Sequence, residues 1–259
     1  MKLAYTAYGE GSPFIIAHGL FGSGRNWTGF AKSVSDARRA MTVDLRNHGE
    51  SPWDDSMDYP EMGNDLLALI ESEAGGSAVM LGHSMGGKAA MAAALTRPEY
   101  ISALIVVDIA PVVYAQSHAG YVEALQAIDL DTITRRADAD AALAESIPEP
   151  GLRQFLLQNL DFRDGRPRWK LNLDAILSNI DALMNFPFDA VKSRYEGPAL
   201  FVAGGKSDYM TPDHQAAIRG CFPNAQIEVI DGAGHWVHAE KPAEFGALVA
   251  SFLNGLPGA

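Results

Sequence analysis

Residues 81–87, Leu81-Gly82-His83-Ser84-Met85-Gly86-Gly87, close an apolar run that begins at Ala78. A serine flanked by glycines at such a place is what a sharp strand-to-helix turn requires. The central residue is forced into a backbone conformation costing about 1–3 kcal/mol, and a bulky side chain two positions away on either side would collide with it. Glycine at 82 and 86 removes the collision. The same residues would also suit an ordinary serine loop before a helix, so the rest of the chain has to decide.

Outward from this stretch, short apolar runs recur at 3–8, 14–17, 40–43, 78–81, 103–107, 200–203 and 226–230, separated by longer stretches of helical period. Met62, Leu66, Leu67 and Ile70 fall on one helix face, with Pro60 suited to the first turn and Gly75-Gly76 to the end. Strand and helix alternating in this way predict an α/β fold with a mostly parallel central sheet and helices on both faces. Ligands of such sheets bind beyond the carboxyl ends of the strands, so the chemistry is expected in the loops after each run. From Pro111 to Gly197 the alternation stops. No run there reads as a strand, and helical patches at 121–128, 152–160 and 173–183 are punctuated by Pro148, Pro150, Pro167 and Pro187. A stretch of that length is too long for a loop and is expected to be a helical cap, residues 111–197, inserted within a single domain whose core is 1–110 and 198–259.

Composition narrows the function. A chain of 259 residues, 47% hydrophobic, buries a full core, and its net charge of -12 without a Lys/Arg run argues against nucleic-acid partners. The single cysteine, Cys221, cannot form an internal disulfide. The residues 1–14 lack the apolar stretch of a secretion signal, and no segment approaches the ~20 apolar residues of a membrane span. A cytoplasmic protein without membrane insertion is expected; the oligomeric state is not legible.

The loops after the strands carry the candidates. His18-Gly19-Leu20-Phe21-Gly22 is an ordinary glycine turn or a loop whose Leu20 N–H, with Met85 N–H from the serine turn, forms an oxyanion hole. Asp44 through Ser51 reads as a polar loop, with Asp44 and Arg46 fixing its geometry and His48 a loop histidine rather than a base. Asp108 follows the 103–107 run, Ser207 and Asp208 follow the 200–203 run, and His235 follows the last run within Gly232-Ala233-Gly234-His235-Trp236. A serine hydroxyl is a poor nucleophile at neutral pH. It needs a base to take its proton and a carboxylate to orient that base. Ser84, a carboxylate and His235 stand in the chain order Ser, Asp, His, each at a strand end, which is the order of α/β-hydrolases.

The stretches "HGLFGSGRNW", "VDLRNHGESP", "GHSMGGKAAM", "VVDIAPV" and "GAGHWVHAEKP" together resemble the YbfF-type bacterial esterases and the alpha/beta-hydrolase domain-containing protein 11 group, from about Leu3 to Leu253. The resemblance implies an α/β-hydrolase fold with a helical cap inserted after the sixth strand. It implies a serine esterase acting on carboxylic esters, or on acyl thioesters, with no metal or organic cofactor. Most α/β-hydrolases take the triad acid from the position of Asp208, whereas the resembled group takes it from the preceding strand, matching Asp108. This chain has both, and the choice stays open. Ser207 fits either a hydrogen bond to His235 or the end of a turn.

The remaining histidines and the basic residue after the elbow have plain readings. Strand alternation points His83 away from the pocket, His118 and His214 read as surface residues, and Lys88 opens the packed helix after the serine. Tyr121, Phe155, Leu156, Phe162, Trp169, Leu173, Leu177 and Phe186 read as the core of the helical segment, a few of them lining an acyl pocket. The expected partner is a small-molecule ester with an apolar acyl or aromatic group. Serine at position 84 excludes enzymes of this fold that use a carboxylate nucleophile. A cofactor-free perhydrolase, a C–C bond hydrolase and a slow-turnover ligand-binding receptor keep the same motif and stand as alternatives.

Overall fold

The computed structural model describes residues 1–163, 165–189 and 193–256; residues 164, 190–192 and 257–259 of the expected core and cap ranges lie outside them. The chain runs β1 (Tyr5–Tyr8), β2 (Ser12–Ala17), α1 (Thr28–Val34), β3 (Arg38–Val43), α2 (Tyr59–Glu73), β4 (Ala78–His83), α3 (Met85–Thr96) and β5 (Ile101–Val107). There follow α4 (Ala119–Gln126), α5 (Arg136–Leu143), α6 (Pro150–Leu157), β6 (Leu160–Asp161), β7 (Arg168–Trp169), α7 (Leu173–Ser178) and α8 (Ile180–Met184). The chain then resumes alternation with β8 (Ala199–Gly204), α9 (Gln215–Cys221), β9 (Ala225–Ile230), α10 (Val237–Glu240) and α11 (Pro242–Asn254).

All seven apolar runs enter one sheet of order β1-β3-β2-β4-β5-β8-β9, in which β1 is antiparallel to β3 and the other pairings are parallel. Alternate residues of the strands go to opposite faces. Ile15, Met41, Met80, Leu104 and Phe201 pack in a buried cluster with residues of α2 and α3, while Phe14, Ile16, Leu81, Ile105 and Leu200 pack with Trp27, Phe245 and Val249. Burial on both faces explains why these strands read as continuous apolar runs. The helix read from Met62 to Ile70 is α2, with Pro60 in its first turn, the Asp58 carboxylate accepting from Glu61 N at 2.8 Å, and Gly75 and Gly76 both at positive φ beyond its end.

Register decides where the loops emerge. His83 pairs with Val107, and Val107 with Val202, so Ser84 and Asp108 leave adjacent strands at one level. The ladder continues one step past the strand ends, with Ser84 N donating to Val107 O at 3.0 Å and Asp108 N to Val202 O at 2.8 Å.

Five sheet strands precede Pro111, so in chain order the helical segment follows the fifth strand rather than the sixth. It also holds elements that the sequence pattern did not reveal. Helix α5 buries only Ala139 and Leu143, too few apolar positions to make a face, and β6 pairs with β7 over two residues each, too short for a period to register.

The segment is tied to the sheet layer at separate points. Tyr59 Oη donates to Leu183 O at 2.6 Å, Asn179 Nδ2 donates to Asp55 O at 2.8 Å, and Glu50 pairs with Arg163 and Lys170. Lys88 is 1% exposed. Its ammonium, on α3, donates to Val112 O at 2.9 Å, Met184 O at 3.1 Å and Asn185 O at 2.8 Å, and lies 4.7 Å from the Tyr114 ring centroid. Burial pushes the Lys88 amine down to about 7, while the three carbonyl dipoles and the ring face offset the cost of holding a cation there.

Candidate active site

Ser84 sits between β4 and α3 at φ 52° and ψ -121°. A non-glycine residue stays in that region only where its surroundings over-determine it. The glycines beside it are required sterically: a Cβ on Gly82 would stand 2.2 Å from Gly86 O, and one on Gly86 would stand 2.4 Å from His18 O. "LGHSMGG" is therefore the sharp turn and not a loop serine.

Asp108 repeats the device one strand over, at φ 52° and fully buried. Its Oδ1 accepts from Gly204 N at 2.9 Å, and its Oδ2 accepts from His235 Nδ1 at 2.7 Å and from the Ser207 hydroxyl. With Nδ1 donating, a neutral His235 carries its lone pair on Nε2. Asp208 stands one residue beyond Ser207, but it is exposed and among the described residues makes no hydrogen bond or ion pair. Of the two candidate carboxylates the structure thus brings Asp108, and not Asp208, to His235. The turn after β8 directs Ser207 inward and its neighbour outward. Ser207 ends the turn, as one of its two readings expected, its N–H donating to Gly204 O at 3.0 Å, while its hydroxyl goes to Asp108 and not to His235.

His235 is held by groups the sequence did not announce. Tyr209 stacks on its ring at 4.1 Å between centroids, and Glu240 fixes the flanking backbone by accepting from Gly234 N at 2.8 Å and Trp236 N at 3.3 Å. His83 Nε2 donates to His235 O at 2.9 Å, and the two rings lie 4.7 Å apart. His83 therefore lines the pocket wall instead of pointing away, because period-two alternation ends where Ser84 takes positive φ. Burial and the neighbouring His235 hold its imidazole well below the ordinary range, which keeps it neutral. His118 is half-buried rather than fully on the surface. Its Nε2 meets Tyr209 Oη at 3.1 Å beside the same cavity.

On the opposite wall, Gly19 O accepts from Gly22 N at 2.9 Å in a tight turn. The Leu20 and Met85 amides make no hydrogen bond among the described residues; Met85 opens α3, whose first amides have no partner within the helix. The surrounding polar loop is structural, as expected: Asp44 accepts from Gly24 N and Glu50 N, and Arg46 pairs with Asp65 and Glu61. Ser84, His235 and Leu20 line one cavity of about 780 Å³, together with Tyr121, Leu152, Phe155 and Trp236. A hydroxyl at a strained turn, an imidazole oriented by a buried carboxylate and two unengaged amides in an apolar-walled cavity can together carry out acyl transfer.

The Alpha/beta hydrolase family matches residues 14–248. The chain is 42% identical over 247 residues to the Mus musculus protein named sn-1-specific diacylglycerol lipase ABHD11, covering 92% of this chain and 80% of that one. It is 36% identical over 244 residues to Esterase YbfF of Escherichia coli, covering 94% and 93%. Among solved structures, one described as a marine microorganism esterase superposes with a TM-score of 0.92 at 39% identity, covering 97% of this chain and 99% of that one. No helix among the described residues is long and apolar enough to cross a membrane.

Proposed function

The chain belongs to the alpha/beta hydrolase family and is an esterase/lipase-type hydrolase, and from that premise we propose that it is a serine carboxylesterase working through a Ser84-His235-Asp108 triad and an acyl-enzyme. The observation that carries the proposal is the buried Asp108 carboxylate bonded to His235 Nδ1 at 2.7 Å, beside a serine held at positive φ in the same cavity.

His235 Nε2 takes the Ser84 proton as Oγ attacks the ester carbonyl. Asp108 keeps the imidazole in the required tautomer and stabilises the imidazolium that forms. Its own orientation is fixed by Gly204 N and the Ser207 hydroxyl, so the carboxylate does not have to reorganise during the step. The Leu20 and Met85 amides receive the developing oxyanion, where loss of one such donor costs about 2.7–4 kcal/mol. The protonated His235 then hands its proton to the leaving alcohol, and water repeats the sequence on the acylated Ser84.

Residues 111–197 act as the cap of this cavity, and its apolar side chains select the acyl part of the ester. An apolar wall discriminates by about 1–3 kcal/mol per methylene at most, so the substrate range is broad. A single, buried cysteine is in keeping with a cytoplasmic enzyme.

The test is steady-state hydrolysis of p-nitrophenyl esters from acetate to palmitate by the parent and by Ser84→Ala. Turnover that varies with chain length and vanishes in the variant is expected. Equal behaviour of the two proteins would remove the serine mechanism, and a product burst followed by near-zero turnover would make the protein a ligand-binding receptor on this fold.

A further inference from the structure

Two buried imidazoles stand behind the Leu20 loop, and the steps above use neither. His18 and His48 are 1% and 0% exposed, with ring centroids 5.1 Å apart. Each has opposite duties at its two nitrogens. His18 Nδ1 donates to Gly19 O at 2.8 Å while its Nε2 accepts from Leu45 N at 3.0 Å. His48 Nδ1 donates to Arg46 O at 2.9 Å while its Nε2 accepts from Phe21 N at 3.2 Å. The two loops clasp each other reciprocally, each lending an imidazole to an amide of the other.

The clasp bears on the oxyanion hole through peptide geometry. Gly19 O belongs to the peptide whose nitrogen is Leu20 N, and a planar trans peptide points its N–H opposite to its C=O. Holding that oxygen from His18 and from Gly22 N therefore sets the direction of the Leu20 N–H. His48 acts one peptide further on. It fixes Phe21 N, Asn159 Nδ2 fixes Phe21 O at 2.8 Å, and Phe21 itself sits at φ 61°. A bulky residue at that φ relaxes unless it is held from both sides.

We propose that His48 is a positioning residue of the oxyanion loop, acting with Asn159 through Phe21 to keep the Leu20 amide aimed at the developing oxyanion. The inference rests on the esterase mechanism above. His48 is no second base, because its Nε2 lone pair is already committed to Phe21 N. Burial pushes His48 down to about 3 and His18 to about 4, so both remain neutral acceptors at working pH.

The experiment compares the parent with His48→Leu, His48→Gln and Asn159→Ala. It measures kcat and KM on p-nitrophenyl butyrate, inhibition by an alkyl trifluoromethyl ketone whose serine adduct places an alkoxide in the hole, and the thermal midpoint. His48→Leu should lower kcat by about 30-fold, less than the ~100-fold or more of losing a donor outright, and weaken the ketone by a similar factor with KM within threefold. His48→Gln, whose amide oxygen can accept from Phe21 N, should recover most of both, and Asn159→Ala should lose roughly threefold in each. Unchanged kcat and ketone affinity in His48→Leu would overturn the proposal, as would a glutamine variant no better than leucine. If His48→Leu does not fold, Asn159→Ala decides: parallel losses in kcat and ketone affinity support the proposal, and parent values for both overturn it. Absence of ester hydrolysis by the parent would instead fail the esterase mechanism, a result distinct from any of these.

Discussion

The loops after β4 and β5 and the helical segment between them and β8 face the same cavity, yet they are held by different means. The loops are fixed by backbone geometry: Ser84 and Asp108 both sit at φ 52°, each tied by its own N–H to the next strand, with glycines packed against carbonyls. The helical segment is fixed mostly by side chains at scattered points, such as Asn159 to Phe21 O, Tyr59 to Leu183 O and the Glu50 ion pairs, with a backbone bridge where Asn172 N donates to Asn47 O at 3.0 Å. The proposed nucleophile and acid stand on the part that cannot move without strain. The groups proposed to choose the substrate stand on the part that can be altered piecemeal.

The largest effect expected from this contrast is at the acid. Asp108→Asn should lower kcat by about 10⁴-fold with the fold intact, whereas Asp208→Asn should stay within twofold, both measured by steady-state ester hydrolysis. Comparable losses from the two would break the distinction between a buried acceptor and an exposed neighbour.

Glycine replacements sharpen the comparison in stability. Gly86→Ala places a Cβ 2.4 Å from His18 O and 2.6 Å from Ala17 O, and should lower stability by roughly 3 kcal/mol or more, read as a fall in urea midpoint. Gly120→Ala, in α4 with nothing near its would-be Cβ, should raise stability by up to ~1 kcal/mol through helix propensity, read as a rise in the same midpoint. The same substitution should thus carry opposite signs in the two regions.

Acid should act first on the catalytic edge, where His18, His48 and His238 are pushed down to about 4, 3 and 4 by burial. Their folded values lie below the unfolded 6.5, so the folded state binds fewer protons. The stability they contribute is complete above pH 6.5 and is lost as pH falls toward 4, each adding about 1.4 kcal/mol per pH unit to the slope within its window. His238→Phe, which preserves the stack on Trp27, should flatten that slope in urea titrations between pH 6.5 and 4. The smallest effect is expected at Phe155, which lines the cavity from α6. Phe155→Ala should reduce kcat/KM several-fold for long acyl esters and leave acetate nearly unchanged, since each methylene contact contributes only about 1–3 kcal/mol.

The sheet was legible because its inner strands are buried on both faces, which writes an apolar run into the sequence, although β1 and β9 at the edges are partly exposed. The serine turn was legible because glycine at 82 is demanded by the turn itself, through Gly86 O, and glycine at 86 by the close approach of Ala17 and His18. The proposed acid was not, since what separates Asp108 from Asp208 is contact with Gly204, Ser207 and His235, residues 96, 99 and 127 positions away from Asp108. Reading His83 failed for a related reason: alternation describes a strand, and the turn at Ser84 ends it. Tyr209 and Glu240 left no local signal at all, because a ring stacked on an imidazole and a carboxylate capping two amides look like any surface tyrosine and glutamate until the fold closes. In the helical segment the patches at 121–128, 152–160 and 173–183 overlap α4, α6 and α7–α8, whereas α5 and the β6–β7 pair bury or pair too few residues to set a period.

Lys88 gathers carbonyls from Val112, just past β5, and from Met184 and Asn185 at the end of α8. Besides its other ties, the helical segment therefore brings residue 112 and residues 184–185 together on a single nitrogen atom of the sheet layer. For protein engineering this makes positions 112 and 184–185 natural splice points. A foreign helical segment whose ends present carbonyls to that ammonium could be exchanged as a cassette while the loops bearing Ser84, Asp108 and His235 are left as they are, and one grafted without them would leave a buried cation with the Tyr59 ring face but without those carbonyls.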